Sequence, residues 1–500
     1  MTRGHLEVET KYDVGDGFAV PDLTGLDGVA TVDAPVEHEL EAVYFDTVDL
    51  RLLRARVTMR RRTGGGDAGW HLKLPAGAAR RELHAPLGRA TTKVPKALRE
   101  PVAGVLRGGS PSPVATLRTR RVVTSLRDPD GALLAEVADD TVTATVPPAD
   151  AGQPMEVQSW REVEVELGSG DDALAAAIGE RLVRAGARPS DSASKIGRAL
   201  GGRLVAPSGT EPADAGEFLL GALAEQVAAL QAADVLLRTD QPDAVHQVRV
   251  AARRLRSTLA AFRKVLDRVV TDPLRDELAW LGGQLADARD DEVALDHLRA
   301  VVAGEPEELV LGPVAARLQQ AELREVQGGA DRARLTLSEP RYLELLDALH
   351  GLLAEPPFTD QARADVGSVL RSATRRSVRK LRRRLGAARR ATGDARGAAL
   401  HEVRKAAKQL RYTAEVGRGE ERRMGRVARA AKRAQKVLGE RQDTVVTREL
   451  CRRLGVVAAA AGENTFTYGR LHALEQARAE SAERDFWRLA PKLRAVLRAG

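Results

Sequence analysis

The sequence feature that most constrains the fold is a change of hydrophobic pattern near residue 205. Before it, short segments of alternating apolar and polar residues recur between glycine- and proline-rich turns, which is typical of antiparallel strands. After residue 212, Ala, Leu and Arg dominate and apolar residues recur every three or four positions, which indicates long helices. The turn-rich stretch 204–212 separates the two patterns. We therefore predict two domains, 1–203 and 213–495, joined by this linker.

The first domain is predicted to be a β-barrel. Its candidate strands are His5–Lys11, Glu41–Asp46, Arg56–Arg62, Trp70–Leu74, Thr116–Ser125, Leu133–Val137, Thr141–Val146 and Arg161–Leu167. Asp128-Pro129-Asp130-Gly131 predicts a hairpin turn, and Asp171–Ala185 predicts a helix. Eight strands suit an antiparallel sheet that closes on itself. The fold class is therefore α+β multidomain, with an eight-stranded antiparallel β-tunnel followed by an all-α region.

The positive charge of the chain belongs to the second domain. The net charge is +8, but residues 1–203 carry 27 Lys/Arg against 29 Asp/Glu, and residues 204–500 carry 51 against 41. Such a basic domain predicts a polyanionic partner: nucleic acid, a membrane surface or polyphosphate. The aromatic content of 3% and the lack of a DNA-reading sequence motif disfavour nucleic acid. With no apolar leader, no long apolar run and one cysteine, Cys451, we expect a cytoplasmic protein with no membrane partner.

The predicted strands carry many charges on one face, because alternate side chains of a strand share a face. The sets are Glu7, Glu9 and Lys11; Arg60 and Arg62; Arg118 and Arg120; and Glu162, Glu164 and Glu166. A solvated outer face would explain them. If the sheet closes around them, however, they need ligands, and a phosphate chain with a divalent cation satisfies both signs of charge.

Several motifs occur in the order seen in the CYTH superfamily, the triphosphate tunnel metalloenzymes. They are Glu7-Val-Glu9-Thr-Lys11, Tyr44-Phe-Asp-Thr47, Met59-Arg60-Arg-Arg62, Gly69-Trp-His-Leu-Lys73-Leu-Pro75, Arg118-Thr-Arg120, Ala135-Glu-Val-Ala-Asp139-Asp140, Glu162-Val-Glu164-Val-Glu166 and Ser194-Lys195. Residues 1–203 thus resemble a CYTH domain, which implies hydrolysis of a triphosphate with Mg²⁺ or Mn²⁺.

The resemblance also implies roles for individual residues. Glu7, Glu9 and Lys11 would be catalytic, with Lys11 helping to orient the attacking water. The implied metal ligands are Glu7, Glu9, Glu164 and Glu166, together with Asp139 or Asp140, between which the sequence does not choose. The implied phosphate-binding residues are Arg60, Arg62, Lys73, Arg118, Arg120 and Lys195.

The helical half contains an internal repeat. His246-Gln-Val-Arg249-Val-Ala-Ala-Arg253-Arg-Leu-Arg256 returns 155 residues later as His401-Glu-Val-Arg404-Lys-Ala-Ala-Lys408-Gln-Leu-Arg411. A second block recurs as well, Leu285…Asp290…Val293 and Leu438…Asp443…Val446. Duplicated helical bundles are the simplest interpretation.

Each copy of the repeat predicts a cationic stripe, since its basic residues fall on one side of a helix. These blocks, with Tyr412-Thr-Ala-Glu415, resemble the CHAD domain, and the resemblance covers about 213–495. It implies binding of inorganic polyphosphate in a basic cavity between the repeats. The predicted polyphosphate-binding residues, which include two from the basic run 371–390, are His246, Arg249, Arg253, Arg256, Arg375, Arg379, His401, Arg404, Lys405, Lys408 and Arg411.

Three functions remain compatible with the sequence. The favoured one is a triphosphatase whose helical domain binds polyphosphate. The second is a non-catalytic polyphosphate-binding protein located at storage granules. The third is adenylate cyclase chemistry in the tunnel, which needs the same metal and the same bound triphosphate.

Overall fold

The protein divides into two compact units, Met1–Gly209 and Thr210–Gly500. The structure, a computed structural model, describes residues 3–77, 79–88, 92–148, 154–204, 212–285, 287–417 and 422–498. For residues 3–7, 287–293, 322, 324–327, 394 and 422 it describes the backbone alone. The predicted linker 204–212 lies mostly outside the described residues.

The first unit is built around one antiparallel sheet. Its strands are β1 (Arg3–Glu7), β2 (Glu9–Val14), β3 (Thr31–Val32), β4 (Val36–Asp46), β5 (Thr58–Thr63), β6 (Gly69–Ala76), β7 (Ala79–Ala85), β8 (Ser112–Arg127), β9 (Leu133–Val146), β10 (Glu156–Leu167) and β11 (Arg188–Pro189). Its helices are α1 (Arg51–Arg54), α2 (Lys96–Arg99), α3 (Ala103–Leu106), α4 (Asp172–Arg184) and α5 (Lys195–Leu200), with 3-10 turns at Glu100–Val102 and Gly201–Arg203.

The sheet closes on itself through its first strand. β1 pairs with β7, while β2, which continues the same chain after Val8, pairs with β10 at the other end of the strand order. The described sheet has eleven strands rather than the eight predicted. If β1 and β2 are taken as one strand and the two-residue strands β3 and β11 are set aside, eight strands form the ring. The antiparallel tunnel is therefore confirmed, with a different strand count.

Turns and helices complete the barrel. The predicted hairpin joins β8 to β9, where the Asp128 carboxylate accepts from the backbone N–H groups of Asp130 and Ala132 and Gly131 adopts a φ of +82°. Helix α4 covers the outer face through Leu174 and Ile178. The apolar side chains of α5, including Ile196 and Leu200, instead pack against the inner-face residues of β8 and β9 and close that end of the barrel.

The second unit is helical throughout its described residues, as predicted. Its helices are α6 (Ala215–Arg238), α7 (Ala244–Ala261), α8 (Arg268–Gln284), α9 (Asp287–Ala303), α10 (Val314–Ser338), α11 (Pro340–Ala354), α12 (Val366–Arg390), α13 (Gly393–Val416), α14 (Arg422–Ala460) and α15 (Phe466–Arg498), with 3-10 turns at Glu307–Leu309 and Asp360–Arg363.

The two copies of the sequence repeat belong to different apolar cores. Helix α7 contributes to a core formed with α6, α8 and α11, whereas α13 contributes to one formed with α14 and α15. Helix α12 spans both, with Leu370 in the first core and Leu381 in the second. Among the described residues, α6 has the length and composition of a membrane span. Leu219 and Leu223 of this helix are buried in the first core, which accounts for its apolar composition.

Candidate functional site

The barrel encloses a cavity of about 730 Å³, lined by the inner-face residues of its strands. The pairing register brings Glu164 opposite Lys11 and Glu166 opposite Glu9, and residues directly opposite each other share a face. Apolar alternate positions, among them Val163 and Val165, face outward against α4. The alternation seen in the sequence thus puts the charged face inside the barrel.

One wall of the cavity is cationic. Arg60 and Arg62 of β5, Lys73 of β6 and Arg121 of β8 all line it. Burial, together with the positive charges of Arg60 and Arg121, lowers the pKa of Arg62 to about 9. Guanidinium groups crowded in this way are stabilised by an anion placed between them.

A neighbouring wall carries carboxylates from the adjacent strands β2 and β10. Burial opposes ionisation of Glu9, but the charges of Lys11 and Lys73 outweigh it and lower its pKa. Glu164 is held ionised in the same way, since Lys11, Lys195 and Arg121 lower its pKa well below the usual value in spite of its burial. Lys11 donates to Glu164 and lies 3.4 Å from Glu9. Glu9, Glu164 and Glu166 all line the cavity, and carboxylate oxygens are the ligands that a hard divalent cation prefers.

A second acidic group lies deeper in the barrel. Oxygen atoms of Asp140, Glu162 and Glu164 lie within 4.8 Å of one another, so this cluster could hold a divalent metal. The Lys195 ammonium, at the start of α5, lies 2.9, 2.7 and 2.6 Å from these three carboxylates. Glu164 belongs both to this cluster and to the carboxylates that line the cavity, so Lys195 neutralises part of each set.

A basic group forms where the two sequence repeats meet in the helical unit. Burial lowers the pKa of Lys408 on α13 to about 7, and the charges of Arg253, Arg404 and Arg249 lower it too, with Asp443 opposing them. Arg249 and Arg253 lie on α7, so the two predicted stripes face each other. We call Arg249, Arg253, Arg404 and Lys408 the repeat cluster.

Further cations extend this surface along two other helices. Burial and the charges of Arg253 and Arg275 lower the pKa of Arg256. Burial also lowers the pKa of Lys380, and the positive charges of Arg384 on α12 and Arg275 on α8 lower it further. Four helices thus bring like charges together, an arrangement that suits a long polyanion.

Comparison with known proteins identifies both units. The CYTH domain family matches residues 5–199 and the CHAD domain family matches residues 221–452. An uncharacterised protein of Mycobacterium tuberculosis, found in two strains, is 38% identical over 508 aligned residues, which cover 99% of this chain and 97% of the relative. This chain is a CYTH–CHAD protein. The resemblance inferred from the sequence is therefore confirmed, and CYTH domains constitute the triphosphate tunnel metalloenzyme family.

Two solved structures are similar to part of this chain. PptA from Streptomyces chartreusis is 22% identical with a TM-score of 0.47, over 56% of this chain and 99% of that one. The CHAD domain from the plant Ricinus communis is 25% identical with a TM-score of 0.45, over 59% of this chain and 96% of that one.

Two residues predicted to bind phosphate lie outside the CYTH cavity. Arg118 and Arg120 are on the outer face of β8, with side chains 76% and 54% exposed, and they pair with Glu41 and Glu37 of β4. Strand alternation instead turns Arg121 inward, where it is 19% exposed and donates to Asp140 and Glu164. Arg121 therefore replaces Arg118 and Arg120 in the candidate site.

The structure also separates the two adjacent aspartates. Asp139 faces outward and accepts from Arg161 at 2.6 Å. Asp140 faces inward and is fully buried beneath Lys195 and Arg121. The backbone of Glu7 in β1 lies opposite that of Arg80 in β7. The structure describes only the backbone of Glu7.

Several cavity residues were missed in the sequence. Arg80, Glu82 and His84 line the cavity from β7, a strand that was not predicted. Glu82 accepts a hydrogen bond from His71 of β6 at 2.8 Å. Burial alone would raise the pKa of Glu82. The hydrogen bond and the charges of Lys73 and Arg60 instead lower this pKa to about 2. The alternation of Arg80, Glu82 and His84 was the available signal.

The remaining CHAD residues predicted to bind polyphosphate are more dispersed. Lys405 pairs with Glu402 at 2.8 Å, and Arg411 pairs with Glu415 at 2.8 Å. His401 contacts Gln442 at 2.6 Å, while His246 lines a separate cavity of about 590 Å³. Arg375 and Arg379 are exposed on α12. The structure thus brings together the repeat cluster and Arg256, but not the whole predicted set.

Proposed function

We propose that the CYTH domain hydrolyses inorganic triphosphate or another triphosphate substrate with Mg²⁺ or Mn²⁺, and that the CHAD domain binds inorganic polyphosphate. The observation that carries the first part is the cavity with a cationic wall and a carboxylate wall inside one closed barrel. A phosphate chain with a divalent cation would satisfy the charges of both walls.

The side chains of this cavity have different roles in the proposed reaction. Arg60, Arg62 and Arg121 bind phosphate oxygens and stabilise charge that grows during phosphoryl transfer, without reorganising. Lys11, which the carboxylates of Glu9 and Glu164 hold in place, orients the attacking water. A divalent cation bound by Glu9, Glu164 and Glu166, with Glu7 as a further ligand, would neutralise phosphate charge.

Two alternatives use the same cavity. Cyclase chemistry would release pyrophosphate and a cyclic nucleotide, and a non-catalytic binder would release nothing. Incubation of the pure protein with inorganic triphosphate, ATP and thiamine triphosphate plus Mg²⁺ or Mn²⁺ distinguishes them when phosphate, pyrophosphate and cyclic AMP are all assayed. Phosphate release supports the proposal, while cyclic AMP or no product contradicts it.

Inner and outer arginines of β8 provide a sharp test of the cavity. Arg121→Ala should raise the KM for triphosphate and lower kcat/KM about 10²-fold or more, because a buried charged hydrogen bond to phosphate is lost. Arg118→Ala, three residues away on the outer face, should leave both parameters unchanged. Steady-state phosphate release with matched thermal unfolding measures this, and equal effects of the two changes would contradict the assignment.

For the CHAD domain, the repeat cluster supports polyphosphate binding. Lys408 is partly buried beside the positive charges of Arg253, Arg404 and Arg249. Each of these four cations would be more stable beside an anion. Polyphosphate bound here would attach the enzyme to its substrate pool or to storage granules.

Polyphosphate binding should depend on pH through Lys408. Its pKa is about 7 in the free protein, and a bound polyanion raises it, so binding takes up a proton above pH 7. Affinity should therefore fall about tenfold or more between pH 7 and pH 9. Lys408→Arg should remove this dependence, because arginine stays charged throughout the range. Titration with polyphosphate at constant ionic strength measures it; identical pH profiles for both proteins would exclude Lys408.

A further inference from the structure

A carboxylate on a turn reaches into the cationic side of the CYTH cavity. Gly65, Gly66 and Asp67 of the β5–β6 turn line the cavity, and the Asp67 carboxylate forms an ion pair with the guanidinium of Arg62. The Arg62 side chain is 8% exposed, whereas that of Asp67 is 55% exposed. Asp67 thus meets the buried cation from the solvent side.

An anion at this position stabilises the charged form of Arg62. Burial and the neighbouring charges of Arg60 and Arg121 all disfavour its charged form. A carboxylate and a phosphate satisfy a guanidinium in the same way, through charged hydrogen bonds to oxygen. A phosphate group that binds Arg62 must therefore compete with Asp67.

The turn is built so that the side chain of Asp67 can move while its backbone stays in place. Gly64 adopts a φ of +81°, and a Cβ there would lie 2.1 Å from the carbonyl oxygen of Glu39, so this end of the turn rests on β4. At the other end, Nε2 of His71 lies 2.9 Å from the carbonyl oxygen of Asp67. A rotation about the Asp67 side-chain bonds is enough to release Arg62, since half of that side chain is already exposed.

We propose that the Asp67 carboxylate is an internal competitor that weakens phosphate binding at Arg62. In the free protein it occupies the guanidinium, and a triphosphate held by the other cations of the cavity displaces it into solvent. Orthophosphate has fewer contacts and displaces it less well, so the product leaves as Asp67 returns. This inference rests on the proposed function of the cavity.

The test compares anion binding to Asp67→Asn with binding to the unaltered full chain. Asparagine keeps the size but removes the charge, so Arg62 is left without its competing anion. Calorimetric titration without metal, in chelator, should show inorganic triphosphate and orthophosphate each binding about tenfold more tightly to Asp67→Asn. During turnover, inhibition by orthophosphate should strengthen by a similar factor while kcat with triphosphate changes less.

Two further variants control for nonspecific effects. Asp67→Glu retains the carboxylate and should restore weak orthophosphate binding. Asp33→Asn removes the carboxylate of a different arginine pair, which Asp33 forms with Arg127 at 2.8 Å, and should change nothing. Unchanged or weaker binding of both anions to a folded Asp67→Asn protein would overturn the role of Asp67. Failure of the unaltered protein itself to bind triphosphate would overturn this proposal together with the proposed function, a result distinct from the first.

Discussion

Replacing Glu9 with Gln should lower triphosphate hydrolysis by about 10³-fold or more, because a metal ligand beside the cationic wall is lost. Its side chain is 12% exposed and lies 3.4 Å from Lys11, and glutamine has nearly the same size, so the change removes a charge without opening a large void. The sequence motif predicts the same result for Glu7→Gln. Phosphate release at saturating triphosphate and metal measures the loss, and thermal unfolding checks the fold.

The control for this prediction is a glutamate on the outside of the same barrel. Glu41 of β4 accepts from Arg118 at 3.0 Å, and Glu41→Gln should leave the rate unchanged. Removing the metal with excess chelator should abolish activity in the unaltered protein. Full activity of Glu9→Gln, or activity that survives chelation, would contradict the metalloenzyme proposal.

Strand β10 could be predicted from sequence because the residues that pack against α4 are apolar and those that face the barrel interior are charged. In this strand, Val163 and Val165 alternate with Glu162, Glu164 and Glu166. This pattern of period two determines which side of the strand packs in the apolar core. Strand β7 escaped prediction because Ala79–Ala85 contains one large apolar residue, Leu83, between charged ones. Two strands were predicted here, one ending at Val137 and one beginning at Thr141. The structure has the single strand β9, which continues through Asp139 and Asp140.

The position of individual arginines could not be read from the sequence. Arg118, Arg120 and Arg121 lie close together on one strand, so composition permits either face to be the inner one. The pairing of Arg121 with His38 and Asp140 decides between the two, and that pairing depends on neighbouring strands. A shift of one residue moves a different arginine, Arg121, to the face that lines the cavity.

In the CHAD domain, the internal repeat revealed the residues on α7 and α13 but not their neighbours. Arg275 and Lys380 have no counterpart in the repeated motif, yet their charges act on each other across α8 and α12. Only helix packing brings these residues close. Sequence repetition can therefore locate the centre of such a surface, while its extent depends on tertiary contacts.

Reversing the charge of the repeat cluster should remove polyphosphate binding. With Arg249, Arg253, Arg404 and Lys408 all changed to Glu, four attractive contacts become repulsive, so affinity should fall by about 10³-fold or more at moderate salt. For the unaltered protein, affinity should also decline steeply as salt rises, since a bound polyanion releases counterions. Titration with long-chain polyphosphate over a salt series measures both effects.

A matched pair of double variants separates position from net charge. The first variant combines Arg253→Glu with Lys408→Glu, and the control combines Arg452→Glu with Arg488→Glu, so both change the net charge equally. The side chains of Arg452 and Arg488 are 64% and 79% exposed and pair with acids on their own helices. The first pair should weaken polyphosphate binding strongly, and the second only slightly. Triphosphate hydrolysis should persist in all these variants, because its residues belong to the other compact unit. Equal losses from the two pairs, or binding of duplex DNA or RNA as tight as that of polyphosphate in competition, would show a general attraction of polyanions instead of a dedicated polyphosphate site.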